Sequence, residues 1–570
     1  MPSESVLGEP SGANGNSPEI DETSRLLPPS TDHDVEHEGP RIKLSRFRGI
    51  ALGISLWIMI LTQTINFSGM SMIQGFIARE LEADFSPMWL STSFFIPVSA
   101  LSPFVGRLAT IFPARSLLVP TATLTALGSL VSAFAPSAHA FMVGRAVSGA
   151  GSAGILPLVV VLVLEVTTEK SRGIFVGMIN AGATVGVAMG AFLYGALVEP
   201  LGWRPLFWIQ SPVILAAGVG AYLSLPAPSK PRDYKSTAVR DKLKQIDYLG
   251  AALLVTTIVL FLYGLADVIE VIPLLLALVS LVAFILIETR FATDPIIPLN
   301  VLLSPGVLLT CFSQLGVMSA RWSLLFYSPI FMSAVRGAAL STAGAVLIPT
   351  NVGFGIGGVI VGWLHVRRSG AFWLPSIVAL AIFAASLALV AMVATVEAPI
   401  WCFVALLFAN GFSIGAGLNY TLAHLLHLTS GRDAQYVATS LLATFRMFAG
   451  SFGTAIGGGV FYRLLRALLT QGFLDLDGTE ELSPARKKLI AKLLVSHLYG
   501  DSSEEVHQVT VQAYAGAARG LWHAAAILAL IMTILQAMTG WKGPEQEDAN
   551  REEEEEARLN AAEHDTVPEA

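Results

Sequence analysis

Apolar runs of about twenty residues return along the whole chain, separated by short polar stretches; 50–72, 117–134, 249–265 and 521–539 hold almost no charge. A helix rises about 1.5 Å per residue and the hydrocarbon layer is about 30 Å thick, so each run is long enough to cross a bilayer. Counting such runs predicts an all-α polytopic membrane protein with about fourteen spans. They fall near 50–72, 88–108, 116–136, 139–164, 174–198, 206–225, 248–266, 269–288, 306–332, 341–364, 371–395, 400–426, 437–464 and 517–540. Two glycosylation triplets, at Asn66 and Asn419, lie inside spans and are set aside.

The stretches between the runs supply organisation and orientation. Residues 1–48 and 542–570 are polar and acidic, cannot bury enough apolar area to fold, and read as disordered tails, the first without a cleavable signal peptide. Between them the pattern divides into a six-helix bundle (49–226), a linker (227–247), two inserted helices (248–290) and a second six-helix bundle (291–541). One set of connections carries only Arg79, Arg204 and Arg336, whereas the alternate set is rich in Lys and Arg, as are residues 41–48. By the positive-inside rule the basic set and both tails are cytosolic. The connection at about 465–516 is basic too, but long loops cross regardless of charge, and its 489–494 stretch suggests an amphipathic helix outside the bilayer.

Composition closes off other classes. The chain is 53% hydrophobic and 14% charged, with mean hydropathy +0.63, against roughly a quarter charged in soluble domains. The net charge of −7 reflects acid concentrated in the tails and says little about partners. Cys311 and Cys402 both fall in apolar runs, which argues against a disulfide framework or a metal cluster. No phosphate-cradling loop, zinc pattern or nucleophilic constellation is present. The expectation is a monomer with no cofactor, no metal, no nucleic-acid partner and no enzymatic activity.

Polar groups in lipid cost several kcal/mol unless partnered, so those inside spans mark the interior. Gln63 and Asn66 sit mid-way along the first span and Arg145 about two turns into the fourth. Arg321 lies about midway along the ninth, with Gln314 and Tyr327 near the same face. An arginine there can grip a carboxylate with its planar fork, or be tied to interior carbonyls for structure. Asn180, Asn351 and Asn419 are further pathway candidates, each of which also serves as a helix linker, and Arg446 sits near a cytosolic gate. No acid is convincingly mid-membrane, so composition leaves the energy source open.

Two halves resemble one another: Gly182, Gly190 and Tyr194 have the same mutual spacing as Gly450, Gly458 and Tyr462. Gly106-Arg107-Leu108 with Arg115, Arg145 with Gly149 and Gly151, Gly182 to Gly186 with Gly190, Trp203-Arg204 and Phe445-Arg446 complete a recognisable set. With these the chain resembles the major facilitator superfamily, in the fourteen-span branch that includes fungal drug/proton antiporters and vacuolar amino-acid transporters. Thr110 stands where the family's loop motif has an acid, and Val187 where its fifth-span motif has a proline. The resemblance implies alternating access of two bundles around a midplane site, with gating motifs at Gly106, Arg107, Arg115, Gly149, Gly182, Gly186, Gly190 and Arg446. It also implies a small-molecule substrate and protons as the coupling ion. Glu22 with Leu26 and Leu27 resembles an acidic dileucine signal read by a sorting adaptor, which favours the vacuolar membrane. The readings this leaves are storage of basic amino acids in the vacuole, efflux of toxins or metabolites at the plasma membrane, and a nutrient sensor without turnover.

Overall fold

In the computed structural model the described residues are 44–167, 169–226, 247–266, 268–290, 304–365, 372–429, 432–495 and 503–540. The dileucine residues Glu22, Leu26 and Leu27 and both tails lie outside them, as does the side chain of Asn180. The described chain holds helices and no strand. In order they are α1 Arg46–Glu80, α2 Met88–Ile111, α3 Ala114–Ala133, α4 Ala138–Ser152, α5 Ile155–Val166, α6 Glu169–Leu201, α7 Arg204–Trp208, α8 Gln210–Ser224, α9 Tyr248–Ala266, α10 Val271–Arg290, α11 Pro305–Ala334, α12 Leu340–Ala345, α13 Leu347–Leu364, α14 Trp373–Val393, α15 Ile400–Leu428, α16 Arg432–Asp477, α17 Pro484–Val495 and α18 Glu504–Ala537.

Twelve of the expected spans are long and apolar enough to cross a membrane, with α4–α5, α7–α8 and α12–α13 each serving as one broken span. The ninth and thirteenth expected spans, α11 and α16, fall outside that set. Their polar side chains explain why: Ser313, Gln314, Ser319, Arg321, Ser323 and Ser328 of α11 are all buried, so they lower its hydropathy without facing lipid. A second difference concerns the connection at about 465–516. It is mostly helical, because α16 runs on for 46 residues, about 69 Å at 1.5 Å per residue and more than twice the hydrocarbon thickness. The short helix anticipated at 489–494 is the C-terminal half of α17, seated by Ile490 and Leu493.

Burial is inverted relative to a soluble protein, as a hydrocarbon solvent requires. Leu275, Leu278, Val279 and Val282 of α10 face outward, while Gln63, Asn66, Arg145, Gln314, Arg321 and Asn410 are nearly inaccessible. The sparse arginines at the loop ends are spent locally: Arg204 pairs with Glu80, Arg336 donates to the carbonyls of Val396 (2.7 Å) and Ala398 (2.6 Å), and Arg79 lies over the Phe76 ring.

The core divides by depth. At the end remote from the tails, one continuous apolar cluster joins both halves, including Met70 and Phe94 of the first half with Phe326, Leu340 and Phe461 of the second. At the tail end the halves keep separate cores: Leu52, Leu118, Leu158 and Ile214 in one, Val307, Cys311, Leu425 and Leu441 in the other. Contacts across the seam follow this division. Phe67 meets Trp322 with centroids 6.1 Å apart, Ser99 and Ser451 share a 2.5 Å hydrogen bond, and Gly195 and Gly344 each face the other half's backbone, at Leu340 and Ala191.

Candidate functional site

In the first half the chain assembles a polar network from side chains on four helices, α1, α4, α6 and α8. The Arg145 guanidinium of α4 donates through Nη1 to Asn66 Oδ1 of α1 and through Nε to the Leu90 carbonyl at 3.4 Å, with its plane 4.2 Å from the Phe94 ring centre. Asn66 Nδ2 donates to Gln210 Oε1 at 2.7 Å, and Gln210 Nε2 donates to the Tyr194 hydroxyl at 2.5 Å and to the Leu206 carbonyl. Gln63 Nε2 reaches the Ser152 carbonyl at 3.0 Å. Gly149 makes this possible, since a Cβ there would collide with the Phe94 carbonyl and push α2 away from α4. A void of about 10 Å³ lies among Gln63, Asn66, Ser129, Ser152 and Gln210, the scale of one water. Arg145 Nη2 and Ser152 Oγ, both buried, have no partner.

In the second half the guanidiniums of Arg321 and Arg446 are hydrogen-bonded within the bundle. Arg321 of α11 donates through Nη2 to Asn351 Oδ1 of α13 at 3.1 Å and sits 4.3 Å from the centre of the Phe354 ring. Asn351 is fixed in turn by donating to the Leu347 carbonyl at 2.8 Å. Two turns earlier on α11, Gln314 Oε1 accepts from Arg446 Nε of α16 at 3.3 Å, and Arg446 Nη2 points to the Leu418 carbonyl at 3.4 Å. Arg321 Nη1, Gln314 Nε2 and the Tyr327 hydroxyl are buried without partners. Tyr327 instead packs its ring on Phe461, 4.8 Å between centres.

The expected pathway residues therefore form two groups. Gln63, Asn66 and Arg145 cluster in the first half, Gln314, Arg321, Asn351 and Arg446 in the second, and no hydrogen bond joins the groups among the described residues. Asn419 is tied to the carbonyls of Gly358 (3.2 Å) and Gly415 (3.1 Å), a helix-linking position between α13 and α15. Gly182, Gly186 and Gly190 seat α6 on Trp57, Thr64 and Ser68 of α1. Gly106 has open space where a Cβ would be, Arg107 is half-buried, and Arg115 is anchored by the Tyr222 carbonyl (3.2 Å) and ring (4.3 Å). Sequence reasoning missed Gln210, the hub of the first network. A glutamine inside the apolar run 206–225 was the available signal.

The Major Facilitator Superfamily profile matches residues 56–454. The chain belongs to the Major Facilitator Superfamily. It is an integral membrane protein. Among its relatives, the vacuolar basic amino acid transporter 1 of Saccharomyces cerevisiae is 28% identical over 360 residues, 60% of this chain and 62% of that protein. Efflux pump dotC of Dothistroma septosporum is 27% identical over 358 residues, 60% of this chain and 59% of that protein. The chain thus spans about three fifths of the length of these relatives. A solved structure with the same fold is a bacterial homologue of the human lysosomal transporter Spinster, inward-facing and unoccupied, with TM-score 0.59 and 14% identity over 87% of this chain and 98% of that one.

Proposed function

We propose that this superfamily member moves small organic solutes out of the cytosol by alternating access, and that the solutes are amino acids, basic ones foremost, carried into the vacuole in exchange for protons. The observation that carries the mechanism is the divided core: one apolar cluster seals both halves together at one end, while at the tail end each half keeps a core of its own. Two bodies that share one core at one end and keep separate cores at the other fit rocking about a central site. The basic loops support a cytosolic tail end, and separate cores at that end fit a cytosol-facing state. The vacuolar relative supports the substrate and the membrane, and the dileucine residues support the same destination.

The second reading, efflux of a toxin or metabolite at the plasma membrane, draws on the relatives named as efflux pumps. Vesicles prepared from vacuoles that contain the protein are expected to take up radiolabelled arginine or lysine only with an acid-inside pH gradient. Uptake indifferent to the protein removes the amino-acid reading, and a fluorescent tag confined to the cell surface favours efflux.

A further inference from the structure

We infer that Arg321, assisted by Gln314 on the same face of α11, holds a carboxylate of the transported solute. Two side-chain donors in the interior of the second half, on one face of α11, are left unmatched. Arg321 is 4% exposed, yet its Nη1 has no partner, and Gln314 Nε2 is likewise buried and unmatched. Arg446, half-buried beside Gln314, adds a second guanidinium. Among the described residues no carboxylate forms an ion pair with either. An uncompensated arginine in lipid-embedded protein is costly, so such groups face a partner or a pathway.

The geometry says which partner fits. Asn351 takes one arm of the Arg321 fork and Phe354 stacks on its plane, which fixes the guanidinium and leaves the buried Nη1 unmatched. Two N–H directions on a planar cation match the two oxygens of a carboxylate, a geometry that a neutral amide cannot reproduce with equal strength. Trp322, the next residue, packs on Phe67 of the other half, so α11 meets the seam between the halves at the level of Arg321. That seam is where alternating access would bring the solute. The inference rests on the transport reading, and it is independent of which membrane the protein occupies.

The test uses the full-length protein in detergent, with thermal unfolding followed against two pairs of probes: L-arginine with L-argininamide, and benzoate with benzamide. In each pair only the first member carries the carboxylate. The expected result is that the carboxylate member of at least one pair binds about tenfold or more tightly than its amide, as a charge-assisted bidentate contact warrants. R321Q is expected to abolish that preference, and R321K to retain a reduced one. Unliganded unfolding of each variant shows that it is folded. Equal response to acid and amide, no response to either pair, or a preference unchanged in R321Q overturns the inference. Benzoate binding without arginine binding leaves the carboxylate contact standing and removes the amino-acid reading, whereas arginine and argininamide binding alike does the reverse.

Discussion

Asn66 holds the first network together, because it accepts from Arg145 and donates to Gln210, a residue 144 positions away. That Asn66 and Arg145 face inward was legible from the sequence, since a polar group inside an apolar run has few other places to go. Their pairing was not, because nothing in the local pattern encodes a contact across 79 residues. Asn66→Ala removes the acceptor and leaves a buried guanidinium resting on one long carbonyl contact and aromatic faces. The expected loss is about 2–3 kcal/mol, the upper range for orphaning a buried polar partner, read as a lowered unfolding temperature of the detergent-solubilised protein. Asn66→Asp keeps the acceptor for Arg145 and adds a countercharge but loses the donor to Gln210 Oε1, so it should be destabilised less than the Ala variant. An Ala variant as stable as the parent would show that the Arg145 contact contributes nothing.

Elements were easier to foresee than their ends. Hydropathy located the helices, but the far stretch of α16 has its own polar surface and read as loop, since helices outside lipid give no hydropathy signal. This projection is closed by a pair at its tip: Asp477 accepts from Arg486 Nε at 2.9 Å and Nη2 at 2.8 Å, joining the end of α16 to α17. The hydrogen bonds from Arg486 hold the Asp477 carboxyl below the usual carboxylate range and raise the Arg486 guanidinium. A carboxyl whose folded pKa is depressed stabilises the fold fully above its unfolded value of about 3.9, and the contribution is lost as pH falls through the folded value. Docking of α17 should therefore be unchanged between about pH 7 and pH 5, the interval well above that value. Hydrogen exchange over 484–495, corrected for intrinsic rates, is expected to stay constant across it and to rise in strong acid. In Asp477→Asn it should be raised throughout pH 7 to 5, and the difference from the parent should close in strong acid. Exchange that climbs already between pH 7 and 5 would assign the docking to another group.

At the scale of the molecule, glycines play the same packing role in the two halves, although in the second half they are not the glycines of the sequence repeat. Gly186 and Gly190 let α6 approach α1, and Gly453 and Gly457 let α16 approach α11, so each half builds a close helix pair from the same device. What the pattern did not reveal is which end of the molecule is closed, because closure depends on contacts between halves rather than within them. Gly195 and Gly344 carry that information: a Cβ on either would press into the opposite backbone, at Leu340 or at Ala191. Backbone cannot swing aside as a flexible side chain can, so Gly344→Leu should wedge the remote end apart while leaving the two tail-end cores untouched. The balance between the two states of a transporter is a matter of a few kcal/mol, and overpacking by a side chain of that size typically costs about 1–3 kcal/mol, enough to move the population decisively. The expected outcome is a folded protein with transport strongly reduced and with a cysteine introduced at Ser99, whose hydroxyl bonds Ser451 across the seam, newly open to membrane-impermeant thiol reagent from the side opposite the tails. If labelling from that side is unchanged while transport falls, the remote end is not held by this backbone contact and the closure must be attributed to the aromatic packing of Phe67, Phe95 and Trp322.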